Sequence, residues 1–212
     1  SVMRPLEFLR HERGISYTAV PCSPGGSLDA GDLRSALRPN TAVVVINHGS
    51  NVTGTVQSLD GVRDAVGETV LVVDACQTMG SMPLNMKAMQ ADILCFSGHK
   101  SLFSVQGVGA LYVRPGIELT PLKFGGTGSK SESIEHPSFL PDRYECGTPN
   151  TPGIASLLGG LTFIQKEGPV RIFDRKQTLR RMLVDGLRDL PGVVVYGHND
   201  RGGATYLATV AF

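Results

Sequence analysis

Five short apolar runs, at residues 15–20, 42–46, 70–73, 93–96 and 110–113, set the limits on what this chain can fold into. They are rich in β-branched and other large apolar residues, too short for helices, and bounded by Gly, Pro, Asn or Asp, so each reads as a buried strand. Helical segments lie between several of them. Residues 28–37 place Asp29 and Asp32 in a first turn, 59–66 carry spaced apolar residues, and 83–89 suit a short crossover. Strand and helix in alternation predict an α/β fold, a mostly parallel sheet covered on both faces, with ligands at the carboxyl ends of the strands.

From 121 to 152 the texture changes to Gly, Ser, Pro and charge, which predicts a long functional loop. Order then resumes. Residues 154–165 and about 170–190 have helical spacing, the second run closed by Pro191-Gly192, and 193–196 and 205–212 read as strands of a second domain. The expected division is a larger unit at 1–155, followed at 156–212 by linking helices and the start of a small C-terminal α/β domain. The chain opens in a helix-like run at residues 2–6 and closes in a strand-like one, as a piece of something longer would.

A hydrophobic content of 41% over 212 residues allows a real core, and 20 basic against 19 acidic residues give no bulk field toward nucleic acid or a membrane surface. No apolar run approaches the roughly 20 residues needed to span a bilayer, and no charged-then-apolar signal follows Ser1. Cys22, Cys76, Cys95 and Cys146 form no C-x-x-C pair, so neither a zinc site nor a disulfide framework is suggested. A soluble cytoplasmic protein with reduced thiols is the expectation.

Chemistry concentrates at two strand ends, Val72-Val73-Asp74-Ala75-Cys76-Gln77 and Ser97-Gly98-His99-Lys100. An Asp ending a strand is commonly a cap, and a lone Lys after one is commonly a solvated charge. On adjacent parallel strands, however, they would meet in one crevice beside hydroxyl, imidazole and amide groups. Pyridoxal phosphate (PLP) chemistry needs that inventory: an amine to bind the cofactor as a Schiff base, and a carboxylate to keep the pyridine nitrogen protonated. Lys100 and Asp74 suit those roles, Ser97 and His99 suit the phosphate, and Asn51 or Gln77 suits the ring hydroxyl.

The order Ser-Asn-Val-Thr-Gly, Val-Asp-Ala-x-Gln, Ser-Gly-His-Lys, Gly-Val-Gly-Ala-Leu-Tyr-Val, Gly-Gly-Thr-Gly-Ser, Arg-Tyr-Glu-x-Gly-Thr-Pro-Asn runs from Ser50 to Asn150, about half the chain. It resembles the class V aminotransferases, and within them the cysteine desulfurase and selenocysteine lyase branch. The resemblance implies a PLP-dependent transferase of fold type I. It makes Lys100 the Schiff-base lysine, Asp74 the pyridinium partner, Gln77 and Asn51 ring-hydroxyl partners, and Ser97 with His99 phosphate ligands. It also implies that Thr148 reaches the phosphate in a neighbouring subunit, hence a homodimer with shared active sites, and that a protein accepts the released sulfur. Arg143 and Glu145 match the family's Arg-x-Glu, either as a structural ion pair or at the mouth of the site.

Departures accompany the likeness. Ser104-Val105-Gln106 stands where the family usually has Gly-Pro-Gln, implying a differently shaped loop. Family members are much longer, and their phosphate-cradling Gly-Thr loop, ring-stacking residue, substrate-carboxylate Arg and nucleophilic Cys fall outside the stretch that 1–212 matches. Among the cysteines, Cys146 is the candidate nucleophile by its place in the loop, against a reading as a small packed residue; Cys76 and Cys95 read as core. Gly125-Gly126-Thr127-Gly128-Ser129-Lys130-Ser131 imitates a nucleotide loop, but Ser129 and Phe124 stand where that pattern needs glycine. The expected reaction is carbon–sulfur or carbon–selenium cleavage of an amino acid, giving alanine. The alternatives are transamination of a small amino acid and, in another class, a non-catalytic module that keeps only the fold and dimer surface.

Overall fold

In the computed structural model, which describes residues 2–197 and 209–211, four strands form one sheet in the order β1 (Val43–Asn47), β2 (Val70–Asp74), β3 (Ile93–Ser97) and β4 (Gly109–Val113). The first three are parallel, and β4 returns antiparallel along β3. Asn47 pairs with Asp74 and Asp74 with Cys95, so the strands end nearly level. Four of the five expected strands are therefore present. The fifth, 15–20, pairs with nothing among the described residues: Ile15 is exposed, and Tyr17 donates its hydroxyl to Glu7 on α1 (Met3–Arg13). A short apolar run has no backbone reason to be a strand without a sheet edge beside it.

Alternation along the strands sends Val44, Ile46, Leu71, Val73 and Leu94 to one face, where they bury against Leu33, Val62, Val66 and Met89. These last residues come from α2 (Ala30–Ala36), α3 (Val62–Val66) and α4 (Met86–Met89). The expectation of a sheet covered on both faces is met on one: Val43, Val45 and Leu111, on the other, are exposed. Handedness gives the reason. The strand order advances in one direction from β1 to β3, so right-handed crossovers lay α3 and α4 on the same side.

The helices begin where their caps dictate. Asp29 accepts hydrogen bonds from the Gly31 and Asp32 amides, and Asn85 accepts from Lys87 and Ala88, each cap worth about 1 kcal/mol. The stretch from 121 to 150 is irregular apart from a single 3-10 turn at Asp142–Tyr144. Beyond it, α5 (Thr151–Glu167), capped by Asn150, turns at Gly168 into α6 (Pro169–Arg188), and α6 leads to β5 (Val194–Tyr196). β5 pairs antiparallel with β6 (Thr209–Ala211) in a separate two-stranded sheet. Of the strand expected at 205–212, residues 205–208 and 212 lie outside the described residues.

Candidate functional site

The pleat that buries Val73 and Leu94 turns Asn47, Asp74, Cys95 and Ser97 to the open face, at the carboxyl ends of the parallel strands. Backbone bonds continue past the strands and hold these ends together: the His48 amide donates to the Asp74 carbonyl and the Ala75 amide to the Cys95 carbonyl, both at 2.9 Å. Asp74 Oδ1 accepts from the Cys76 amide at 2.9 Å, which fixes the carboxylate at the strand end. Beneath, buried His48 places Nδ1 2.8 Å from Thr78 Oγ1 and so ties the loop after β1 to the loop after β2. Burial pushes the His48 imidazole pKa down, toward the neutral ring.

Ser97 Oγ is buried and has no nitrogen or oxygen hydrogen-bond partner; only the Cys76 thiol stands near enough to feel it. An orphaned hydroxyl at the edge of a crevice suits a ligand that brings an acceptor. Directly after it, the turn Gly98-His99-Lys100 leaves His99 and Lys100 exposed while its backbone is gripped from several sides. The Gly98 amide donates to the Val108 carbonyl at 2.8 Å, and the Ser104 amide to the Gly98 carbonyl at 3.1 Å. A Cβ on Gly80 would run into the Ser101 carbonyl oxygen, and one on Gly160 of α5 into the Leu102 carbonyl oxygen, so both glycines permit close backbone approach. The Val105 amide donates to Ser156 Oγ at 3.0 Å, Ser104 Oγ donates to the Gly153 carbonyl at 3.3 Å, and Asn150 Nδ2 donates to the Gly107 carbonyl at 3.1 Å. At Ser104-Val105-Gln106, where the sequence departs from the family pattern, two of the three residues thus anchor to α5.

The thiols report on the charges around them. Burial, then Asp74, raises the Cys76 pKa, against smaller opposite effects of Ser97 and Lys100, so that Asp74, Ser97 and Lys100 all lie around one side chain. Burial and then Asp74 push Cys95 up to about 11. Both are protonated thiols at neutral pH and poor nucleophiles.

Five of the expected site residues, Asp74, Gln77, Ser97, His99 and Lys100, therefore fall on two neighbouring strand ends. Asn51 lies on an exposed turn after β1, closed by the Gly54 amide donating to the Ser50 carbonyl. Thr148 is exposed in a separate shallow cleft with Lys123, Tyr144 and Cys146. Arg143 pairs with Glu118 at 3.6 Å, so its ion-pair partner is Glu118 and not Glu145. His48 is the residue that the sequence reading passed over; its place directly after Asn47 at a strand end was the available signal.

The residues fit pyridoxal phosphate. Its phosphate would meet the orphaned Ser97 hydroxyl and His99, its pyridine nitrogen Asp74, and its carbonyl carbon Lys100 Nζ.

The chain matches the family described as Aminotransferase class-V over residues 1–212. It is 32% identical over 207 residues to a cysteine desulfurase of Klebsiella pneumoniae, covering 94% of this chain and 50% of that protein. It is 30% identical to a probable cysteine desulfurase of Pyrococcus abyssi, covering 90% and 49%. Among solved structures, the apo cysteine desulfurase of Thermococcus onnurineus superposes with a TM-score of 0.83 at 26% identity, over 99% of this chain and 54% of that one. SspA, solved in complex with cysteine, gives 0.65 at 29% identity, over 76% and 44%. The chain spans about half the length of the curated relatives it matches.

Proposed function

The chain belongs to the class V aminotransferase family, and from that premise we propose that it is the cofactor-binding part of a PLP-dependent enzyme of the cysteine desulfurase type. The observation that carries the reading is the buried Ser97 hydroxyl on the open face, without a nitrogen or oxygen partner, with Asp74 on the next strand level with Cys95, two residues before it, and Lys100 three residues on. Bound there, pyridoxal phosphate supplies an electron sink for bonds breaking at an amino acid's α-carbon. Asp74, fixed by the Cys76 amide, holds a proton at the pyridine nitrogen. Ser97 and His99 donate to the phosphate, and Gln77 and Asn51 serve the ring hydroxyl. Lys100 Nζ, free on its exposed turn, carries a proton to and from the substrate carbon.

The desulfurase reading, with cysteine as substrate and alanine as product, draws on the similarity to cysteine desulfurases, as does a sulfur-accepting partner. A homodimer is part of the same proposal. Exposed Thr148 stands in a cleft apart from Lys100, where a phosphate ligand would serve a neighbouring subunit's site. Residues 1–155 would form part of the large domain, and 156–212 would lead into the small one. Free cysteines throughout agree with a cytoplasmic setting. No helix among the described residues is long and apolar enough to cross a membrane.

Borohydride reduction after adding PLP, followed by peptide mapping, tests the site. The expected result is a label on Lys100 that disappears in Lys100→Ala, with release of alanine from cysteine by the full-length protein and, once a dithiol reductant is added to supply the electrons, of sulfide. A label spread over surface lysines would overturn the site. Release of a keto acid in place of alanine would move the reading to transamination.

A further inference from the structure

Helix α6 carries a lysine held away from solvent. Lys176 is half-buried, with Nζ 3.2 Å from Ser81 Oγ and 3.3 Å from Ser101 Oγ; those hydroxyls lie 2.5 Å from each other. Ser81 is only 3% exposed, and no carboxylate among the described residues pairs with the ammonium. As a stability device this is poor, because burial opposes the charge and hydroxyls return less than a carboxylate would. What it supplies is geometry. Ser81 belongs to the turn that follows Asp74 and Gln77, Ser101 directly follows Lys100, and α6 continues toward β5. A single side chain thus joins both loops of the candidate site to the helix that leads into the second sheet.

We propose that Lys176 is a positioning residue: from α6 it draws Ser81 and Ser101 together and sets the turn that presents Lys100. The proposal rests on the reading of Lys100 as the cofactor-binding amine. Gly80, where a Cβ would run into the Ser101 carbonyl oxygen, lets the two loops approach; Lys176 ties them. Displacement of α6 is thereby felt at the turn that presents Lys100.

Hydrogen–deuterium exchange on the cofactor-free chain tests this without turnover. The amides of Phe103 and Ser104 are bonded to the Lys100 and Gly98 carbonyls, so they report on the turn directly. In Lys176→Met these amides should exchange about tenfold faster, the factor expected from losing a hydrogen bond to a charged group, while those of β1 to β3 stay unchanged. Ser101→Ala should do the same, and the double variant should add little to either, since both remove one connection. With PLP added, borohydride-trapped label on Lys100 should form several-fold more slowly in both variants. Unchanged exchange at 103 and 104, or an equal rise throughout the sheet, would overturn the proposal. If Lys176→Met does not fold, Ser101→Ala decides by the same criterion. A local rise in exchange with no label in any protein, wild type included, would remove the cofactor reading while leaving the tie between α6 and the turn in place.

Discussion

At the scale of single residues, the site is a matter of which side chains lose water. Cys95 and Cys76 share the open face with Asp74, and burial together with that carboxylate raises both thiol pKa values. Cys22 is exposed. Alkylation at pH 8 should therefore modify Cys22 first and Cys95 last, by about a hundredfold or more, since a thiol of pKa about 11 is about 0.1% thiolate there. Mass spectrometry of partially alkylated protein checks the order, and early modification of Cys95 would mean that its thiol is not shielded from water as described. Asp74, Ser97 and Lys100 were legible in the sequence because a strand end converts position along the chain into position in space. Lys176 was not legible, because on a helix a lysine reads as a solvated charge and nothing in its neighbours marks the two distant serines it meets.

Elements show a similar division. The strands at 42–46, 70–73, 93–96 and 110–113 were readable from their β-branched composition, and the structure moves no boundary by more than about one residue. The run at 15–20 has the same composition but lies beside no sheet edge among the described residues, a fact of tertiary placement that no local pattern carries. How the Lys100 turn is clamped by α5 was equally hidden, since it depends on backbone approach at glycines. Two neighbours on that helix make this testable. Gly160→Ala would drive a Cβ into the Leu102 backbone and should cost about 2 kcal/mol. Gly159→Ala meets nothing within 4 Å and should add about 0.5 to 1 kcal/mol through helix propensity. Urea denaturation of the two variants measures both signs; equal effects would show that α5 does not press on the turn.

For the molecule as a whole, stability has its own centre, at the opposite ends of the strands. Asp92, 3% exposed, accepts from the Leu71 amide at 2.7 Å and pairs with Arg63 at 2.9 Å and Arg114 at 2.7 Å, linking β2, β3, α3 and the end of β4. Burial raises the carboxyl pKa, but the Leu71 amide and the two guanidiniums outweigh it, leaving it below its ordinary value. A folded-state pKa held below the unfolded one contributes stability that is present above the unfolded value, near 4, and is lost as pH falls through the folded value. Asp92→Asn should thus cost about 2 kcal/mol at pH 7, and the two unfolding free energies should converge as pH drops from 5 toward 2. A constant gap across that range would show that the carboxyl does not titrate with unfolding. The Asp92 cluster and the site face opposite ways along strands of five residues, with Asp74 three steps from Leu71, or about 10 Å, and Ser97 five steps from Asp92, or about 17 Å. Among the described residues no hydrogen bond or ion pair of the Asp92 cluster reaches Asp74, Ser97 or Lys100, so the sheet works as a spacer: natural drift or engineering can change the anchoring contacts at one end and leave in place those that hold the site at the other.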